Sequence, residues 1–179
     1  MQQKYLSTKK LVMVSLLIAL NIVIVRFISI QTPIVRIGFG FIPTALCSML
    51  FGPVWGAASA FLADFFGMVI NSRGMAYFPG FGINEALYGL TYALFLYKRE
   101  KSYKNIILCV VLQGILINSG LGTLWATILY HNPVWTTLLT RSVNMLIMIP
   151  IKVIMIKYIW EFVGKYVWNR VLYSGAGNC

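Results

Sequence analysis

Long apolar stretches, interrupted by short polar or turn-forming segments, extend along the whole chain. Each stretch is longer than an ordinary buried strand and ends at Gly, Pro, Asn or a cluster of charges, so the pattern predicts helices. The Gly52-Pro53 pair separates a short second helix, which is expected to lean against its neighbours or to be partly re-entrant. Pro150 predicts a kink in the last helix. The six predicted helices span approximately residues 9–28, 40–50, 53–71, 84–97, 105–128 and 135–163.

Composition places these helices in a membrane. Hydrophobic residues make up 59% of the 179 positions and charged residues only 11%, whereas typical soluble domains carry about 25% charged residues. So few charges cannot coat a soluble fold of this size, which excludes a soluble globular enzyme, a disordered tail and a coiled coil. The length leaves room for about six spans of roughly 20 residues each. We therefore predict an all-α integral membrane protein, in which residues 1–179 form a single six-transmembrane-helix bundle with external gating loops.

Basic residues give the predicted bundle an orientation. The net charge is +11, from 15 Lys and Arg against 4 Asp and Glu, and most cations cluster between the apolar runs. Cytoplasmic loops carry such clusters, so the N-terminus, the segment 98–104 and the region around Lys157 and Arg170 are predicted to be cytoplasmic. Both termini then lie on the cytoplasmic side of the cell membrane. The loops predicted on the external side are 29–39, 72–83 and 129–134.

The sequence carries no motif for using chemical energy and no convincing catalytic set. A nucleotide-binding P-loop is absent, and one histidine with three scattered cysteines gives no metal-ligand spacing. We therefore expect no metal, no cofactor and no enzymatic activity. Ser119 and His131 leave one enzymatic alternative, an intramembrane hydrolase, although neither belongs to an oxyanion-hole motif. A small scaffold protein without a ligand is a further alternative.

Ionisable and polar residues mark the external end of the predicted bundle. Such residues are costly inside a membrane span and by default indicate a functional site. One stripe of the third helix is small at its inner end and polar around Asp64 at its outer end. Further polar, charged and aromatic side chains at a similar depth come from helices 1, 4, 5 and 6 and from the loop 72–83. The predicted ligand-binding residues are Arg26, Asp64, Arg73, Tyr77, Phe78, Asn84, Glu85, Tyr88, Asn118, Trp125, Arg141 and Asn144.

The chemistry of this set suits a planar, anionic ligand. Guanidinium groups bind carboxylates at two points. Tryptophan and tyrosine side chains can stack on a flat ring. A buried carboxylate can accept two parallel hydrogen bonds from an amidine-like edge. A structural alternative remains for Asp64, which can pair with an arginine purely to stabilise the fold.

Small residues on the first helix and several further segments give the chain a family resemblance. Ser15 and Ala19 have the small-x-x-x-small spacing that lets two helices pack closely, which makes this face a candidate docking surface. Together with the segment 52–57 and Asp64, they resemble motifs of the substrate-binding S components of energy-coupling factor (ECF) vitamin transporters. The resemblance covers nearly the whole chain. The segments similar to the folate-specific branch of that family are 36–44 and 77–81.

The resemblance implies a non-enzymatic subunit that binds a vitamin from outside with high affinity. A transmembrane coupling subunit would dock at Ser15 and Ala19, and two cytoplasmic ATPase subunits would supply the energy. The loops 29–39 and 72–83 would act as gates, and the subunit would topple in the membrane to carry its ligand inward. The implied ligand is folate. Riboflavin, thiamine and a queuosine precursor are the alternative ligands.

Depth and chemistry suggest how a folate would be held. Folate has a flat pterin, an aromatic linker and a glutamate bearing two carboxylates. Asp64 or Glu85 is expected at the aminopyrimidine edge of the pterin. The expected stacking residues are Trp125, Tyr88 and Phe78. The expected partners of the glutamate are Arg26, Arg73 or Arg141.

Overall fold

The computed structural model describes residues 8–31, 36–70, 78–130 and 133–167, and these residues are almost entirely helical. Several α-helices run directly into π-helical turns, so that the elements join into six continuous helices within this part of the chain. In chain order the elements are α1 Thr8–Val23, π1 Ile24–Ile28, β1 Ile30–Gln31, β2 Arg36–Ile37, α2 Phe41–Phe51, α3 Pro53–Ile70, α4 Pro79–Leu96, α5 Tyr103–Leu112, π2 Gln113–Leu121, α6 Gly122–Tyr130, α7 Val134–Ile159, π3 Trp160–Gly164 and α8 Lys165–Val167.

The continuous helices agree with the predicted ones to within a few residues, with one exception. α1 and π1 form the first helix, α5 with π2 and α6 forms the fifth, and α7 with π3 and α8 forms the sixth. The exception is the fourth helix, which begins at Pro79 and not at residue 84. The first turn of a helix leaves its backbone N–H groups unpaired, so a proline that lacks this group fits there without loss. The last helix continues through Pro150.

A short antiparallel ladder interrupts the connection between the first and second helices. Ile30 pairs with Ile37, and Gln31 pairs with Arg36. The sequence analysis expected only a loop here, because strands of two residues are too short to show an alternating pattern. The external loop predicted at 29–39 therefore contains a small hairpin.

Within the described residues, three helices are long and apolar enough to cross a membrane: Thr8–Phe27, Pro53–Ile70 and Tyr103–Leu129. α4 and α7 are also long, at 18 and 26 residues. α2 has only 11 residues, and it packs against α1, α3, α4 and α7. Every residue from Pro43 to Phe51 is buried, so this short helix is enclosed by its neighbours. The predicted all-helical fold is confirmed.

α3 and α4 approach each other closely. A Cβ atom added to Gly89 would lie 2.2 Å from the carbonyl oxygen of Gly56, so the two backbones meet with no side chain between them. Small residues allow such close packing inside a membrane. The buried members of the small stripe predicted on the third helix include Gly56, Ala60, Ala63, Asp64 and Gly67. The stripe serves more than this one contact, because Gly56 also faces Ser48 of α2 and Gly67 faces Arg26 of π1.

The main apolar core lies at the end of the bundle that carries the connection between α4 and α5. Leu96 is the last residue of α4, Ile106 lies in the first turn of α5, and both are fully buried. They pack in one cluster with Cys47 and Cys109, which are buried free thiols. Cys179 lies outside the described residues. Polar pairs are concentrated towards the opposite end.

Candidate ligand-binding site

Arg26 and Asp64 form a buried ion pair between the first and third helices. Nη2 of Arg26 lies 3.3 Å from Oδ1 of Asp64 and 3.2 Å from the carbonyl oxygen of the same residue. Arg26 is 1% exposed and Asp64 is 5% exposed. Gly67 leaves room for the guanidinium, because a Cβ atom there would lie 2.6 Å from Nε of Arg26. Gly67 and Asp64 together therefore allow the Arg26 side chain to pack against α3.

Trp125 on α6 and Asn84 on α4 form a second polar pair. Nε1 of Trp125 donates a hydrogen bond of 3.2 Å to Oδ1 of Asn84. The Phe78 ring packs edge-to-face on Trp125, with 5.4 Å between the ring centroids. Gly80 permits this contact, since a Cβ atom there would come within 2.4 Å of the Phe78 ring. Aromatic surface and an amide group therefore lie side by side at the start of α4.

Arg141 on α7 binds the π-helical part of the fifth helix. Its Nη1 atom donates to the carbonyl oxygen of Asn118 at 3.1 Å and to Oδ1 of Asn118 at 3.2 Å. A Cβ atom at Gly122 would lie 2.3 Å from the same Nη1 atom, so Gly122 makes room for the guanidinium. π-helical turns inside α-helices occur frequently at functional sites. Here π2 supplies both acceptors for Arg141.

Lys152 is a cation near the middle of the bundle that the sequence analysis did not select. Its Nζ atom lies 5.6 Å from the centroid of the Phe41 ring and 5.5 Å from that of Tyr88. It also interacts electrostatically with Glu85. Cations are attracted to the faces of aromatic rings, most strongly away from water. The rule that selected Asp64, a charge within a span, applies equally to Lys152 and could have found it.

Gln113 is a second buried polar residue that the sequence analysis missed. It is 1% exposed, and its Nε2 atom donates to the carbonyl oxygen of Tyr88 at 3.2 Å. Within the described part of the chain, its Oε1 atom has no hydrogen-bond partner. An uncharged glutamine in a long apolar run gives little signal in sequence. The contact fixes α4 against π2 beside the ring of Tyr88.

The three polar pairs lie towards the same end of the bundle. Arg26 is close to the end of the first helix, and Asn84 is close to the start of the fourth. Trp125 is near the end of the fifth helix, and Arg141 follows near the start of the sixth. Because consecutive helices run in opposite directions, these positions share the end that carries the connection between β2 and α2. Each pair joins two different helices.

Two further predicted residues are only partly buried, and three others lie outside the described residues. Asn144 is partly buried on α7, one turn beyond Arg141. Ser119 is partly buried in π2. The predicted residues outside the described part of the chain are Arg73, Tyr77 and His131.

Comparison with known proteins gives consistent matches along nearly the full chain. The sequence profile of the family described as ECF transporter, substrate-specific component, matches residues 9–173. The folate transporter FolT of Clostridium novyi (strain NT) is 39% identical over 162 residues, which cover 90% of this chain and 94% of that protein. The folate transporter FolT of Leuconostoc mesenteroides subsp. mesenteroides is 30% identical over 154 residues, which cover 83% and 82%.

Solved structures show the same architecture. A crystal structure of FolT bound with folic acid aligns with a TM-score of 0.80 at 35% sequence identity, and the alignment covers 85% of this chain and 92% of that chain. The S component of a bacterial ECF transporter aligns with a TM-score of 0.57 at 22% identity, covering 90% and 96%. At 22% identity, the match to this S component shows a shared fold and nothing further.

Proposed function

The chain belongs to the family of substrate-specific components of ECF transporters, and we propose that within this family it is a high-affinity folate-binding subunit. It is thus a membrane transport protein and not an enzyme, which sets aside the hydrolase interpretation of Ser119 and His131. The observation that carries the choice of folate is the likeness to FolT bound with folic acid, with a TM-score of 0.80 and 35% identity. Two relatives named folate transporters support the same choice.

The buried acid of α3 suits the pterin end of folate. Nη2 of Arg26 contacts Oδ1 of Asp64 at 3.3 Å. A carboxylate has about four acceptor positions on its two oxygens, so it can bind Arg26 and also accept hydrogen bonds from an aminopyrimidine edge. Glu85, which also interacts with Lys152, is the alternative acid for this role.

Aromatic side chains near the start of α4 suit the flat rings of the ligand. Trp125 is held by Asn84 through its Nε1 atom and by the edge of Phe78. A ring fixed in this way loses little conformational entropy when it packs on a planar ligand. We assign Trp125 and Phe78 to stacking, together with Tyr88, whose ring lies against Lys152.

Two cations suit the glutamate of folate. Arg141 is fixed by two hydrogen bonds to Asn118, and a planar guanidinium can bind a carboxylate at two points. Lys152 offers an ammonium group between two aromatic rings. Arg73 lies outside the described residues and remains an alternative partner. The expected net attraction is for an anion, because these cations outnumber the acids assigned to the pterin.

The outward face of α1 is assigned to docking on a transmembrane coupling subunit. Ser15 and Ala19 are both exposed in the isolated chain, so the bundle itself does not use their small-residue face. Exposed apolar side chains such as Leu16 surround them. Close helix packing at small residues would join this face to a partner helix. Two cytoplasmic ATPase subunits would then supply the energy for transport.

The basic regions set the proposed orientation. The N-terminus and the connection between α4 and α5 would face the cytoplasm, with both termini on that side. The ligand end, which carries the hairpin of β1 and β2, would face outward. The segments 29–39 and 72–83 would close over the ligand.

A thermal-shift panel tests the choice of ligand. The purified protein in mild detergent is heated with folate, riboflavin, thiamine or a queuosine precursor, each at the same concentration. A ligand at a thousand times its dissociation constant stabilises the folded state by about 4 kcal/mol. We expect the largest shift with folate. A larger shift with another vitamin would replace folate by that ligand, and no shift with any of them would favour a scaffold protein.

A further inference from the structure

A basic cleft lies at the end of the bundle opposite to the candidate ligand site. It is a shallow, open depression of about 570 Å³, formed where the connection between α4 and α5 meets the end of the last helix. Four of its lining residues are cations and one is an acid, so an anion is favoured there. The lining residues are Lys98, Arg99, Glu100, Lys101, Ser102, Lys157 and Trp160.

The side chains of the cleft are held in place by contacts with its walls. Nζ of Lys101 lies 4.1 Å from the centroid of the Trp160 ring, and the Trp160 side chain is nearly buried at 8% exposure. Nζ of Lys157 donates to the carbonyl oxygen of Lys101 at 3.0 Å and lies 3.6 Å from Oε1 of Glu161. The last helix therefore fixes the loop backbone beside the cleft.

Three cations of the cleft have no acidic partner. Within the residues that the structure describes, none of Lys98, Arg99 and Lys101 forms an ion pair. Lys98 also adopts a left-handed backbone conformation, with φ of 54°. Partial burial lowers the pKa of Lys101 from its ordinary value. Burial removes water from the Lys101 ammonium group, and a bound anion would offset that loss of solvation.

Exposed aromatic side chains indicate the depth of the cleft in the membrane. Tyr103 follows the lining residue Ser102 and is 56% exposed. Tyr158 and Phe162 lie on either side of Trp160 in sequence, are 62% and 67% exposed, and stack with 4.9 Å between ring centroids. Aromatic residues are enriched where the hydrocarbon core meets the lipid headgroups. The cleft therefore opens at headgroup depth.

We propose that this cleft binds the phosphate headgroup of an anionic phospholipid. Arg99 and Lys101 supply charge-assisted hydrogen bonds to phosphate oxygens, which such groups bind strongly. The acyl chains extend along the exposed aromatic side chains of the last helix. Basic pockets at the cytoplasmic ends of membrane helices bind anionic headgroups in this way. The site goes beyond the proposed folate function and lies at the other end of the molecule.

Lipid titration of a charge-matched pair of variants tests the proposal. The test variant is Arg99→Gln/Lys101→Gln. The control is Lys9→Gln/Lys104→Gln, which removes the same charge from two exposed basic residues that do not line the cleft. Each purified protein is titrated in neutral detergent micelles with phosphatidylglycerol, phosphatidylcholine or glycerol phosphate, and binding is followed by native mass spectrometry and thermal unfolding. Circular dichroism and folate titration check that each variant is folded.

The expected result is selective binding of phosphatidylglycerol by the unsubstituted protein and the control. The test variant is expected to bind it about tenfold more weakly, which corresponds to about 1.4 kcal/mol. Equal binding of the two lipids, or equal weakening in both variants, would overturn the proposal. Glycerol phosphate binding as tightly as the lipid would show a site for soluble phosphates instead. Failure of the folded protein to bind folate would contradict the proposed function, but the lipid titration could still be interpreted by itself.

Discussion

The Nη2 atom of Arg26 binds both the carboxylate and the backbone carbonyl of Asp64, at 3.3 and 3.2 Å. One guanidinium thereby ties π1 to α3 where both side chains are buried. Separating such a pair is costly, because the partner that remains is an unpaired charge in a medium of low dielectric constant. Removing one partner therefore destabilises the fold whether or not the pair binds a ligand. A role in ligand binding has to be separated from that contribution by mutation.

Asp64→Asn removes the charge with little change in shape. We expect a loss of stability of about 3–5 kcal/mol, because the Arg26 cation is left without its counter-charge. We also expect folate affinity to fall by about 1–3 kcal/mol, because the ligand loses a buried hydrogen-bond partner. Thermal unfolding without ligand measures the first effect. A folate titration at a temperature where the variant is folded measures the second.

The double variant Arg26→Met/Asp64→Leu is the control for this experiment. Replacing both members of a buried ion pair by apolar residues of similar volume is often neutral or stabilising. The double variant should therefore recover stability and still bind folate poorly. Folate affinity equal to that of the unsubstituted protein would show that the pair is only structural.

Gly122→Ala tests the position of Arg141. The added Cβ atom would lie 2.3 Å from Nη1 of Arg141, so the guanidinium must move away from Asn118. The displaced guanidinium would lose a hydrogen bond to the glutamate of folate, and such a bond to a charged group is worth about 1.5–3 kcal/mol, which predicts folate affinity at least about tenfold weaker. The measurement is a folate titration by intrinsic fluorescence.

Gly120→Ala is the matched control, two positions away in the same helix. A Cβ atom there would lie 3.5 Å from the carbonyl oxygen of Ile115, which is ordinary contact. Both substitutions raise helix propensity by a similar amount, so that effect cancels in the comparison. Unchanged affinity in both variants would contradict a ligand role for Arg141.

Lys152→Met tests whether the lysine binds the glutamate of folate. Methionine keeps much of the aliphatic volume and removes the cation. We expect folate to bind at least about tenfold more weakly, the effect of losing one charge-assisted hydrogen bond. Pteroate, which lacks the glutamate, should bind the variant and the unsubstituted protein equally. Equal weakening of both ligands would assign Lys152 a structural role against Phe41 and Tyr88.

Replacing both Ser15 and Ala19 by leucine tests the docking face. Two larger side chains on an exposed face should leave folding and folate binding unchanged while preventing close approach of a partner helix. The expected loss is in copurification of the coupling subunit and in folate uptake by cells. Leu139→Phe enlarges an exposed residue of a different helix, α7, and serves as the control. Normal assembly of the double variant would exclude this face as the docking surface.

The hydrophobic pattern was sufficient to predict the six helices, because apolar runs in a membrane protein are long and their breaks contain proline, glycine or charges. The pattern did not predict the early start of α4. Pro79 lies in a segment rich in turn-forming residues, which predicts a loop, although proline is well suited to the first turn of a helix. The π-helical stretches were not predicted either, because a short change in helical pitch leaves no periodic signal in sequence.

The candidate site could be predicted in part. Asp64 and Arg26 stood out because charges are rare in membrane spans, but their pairing depends on the approach of two helices 38 residues apart in sequence. Lys152 also lies within a span, so the same rule applies to it, but its contacts with the rings of Phe41 and Tyr88 depend on the direction in which its side chain extends. Charge identity alone does not show which way a long side chain extends.

Calorimetric titration of the purified, unsubstituted protein with folate tests the central claim most directly. The account predicts one folate per chain, with a dissociation constant below about 1 µM, equivalent to a binding free energy of about −8 kcal/mol or stronger. It also predicts no measurable binding of riboflavin or thiamine under the same conditions. Absence of folate binding by a folded protein, or tighter binding of another vitamin, would contradict the account.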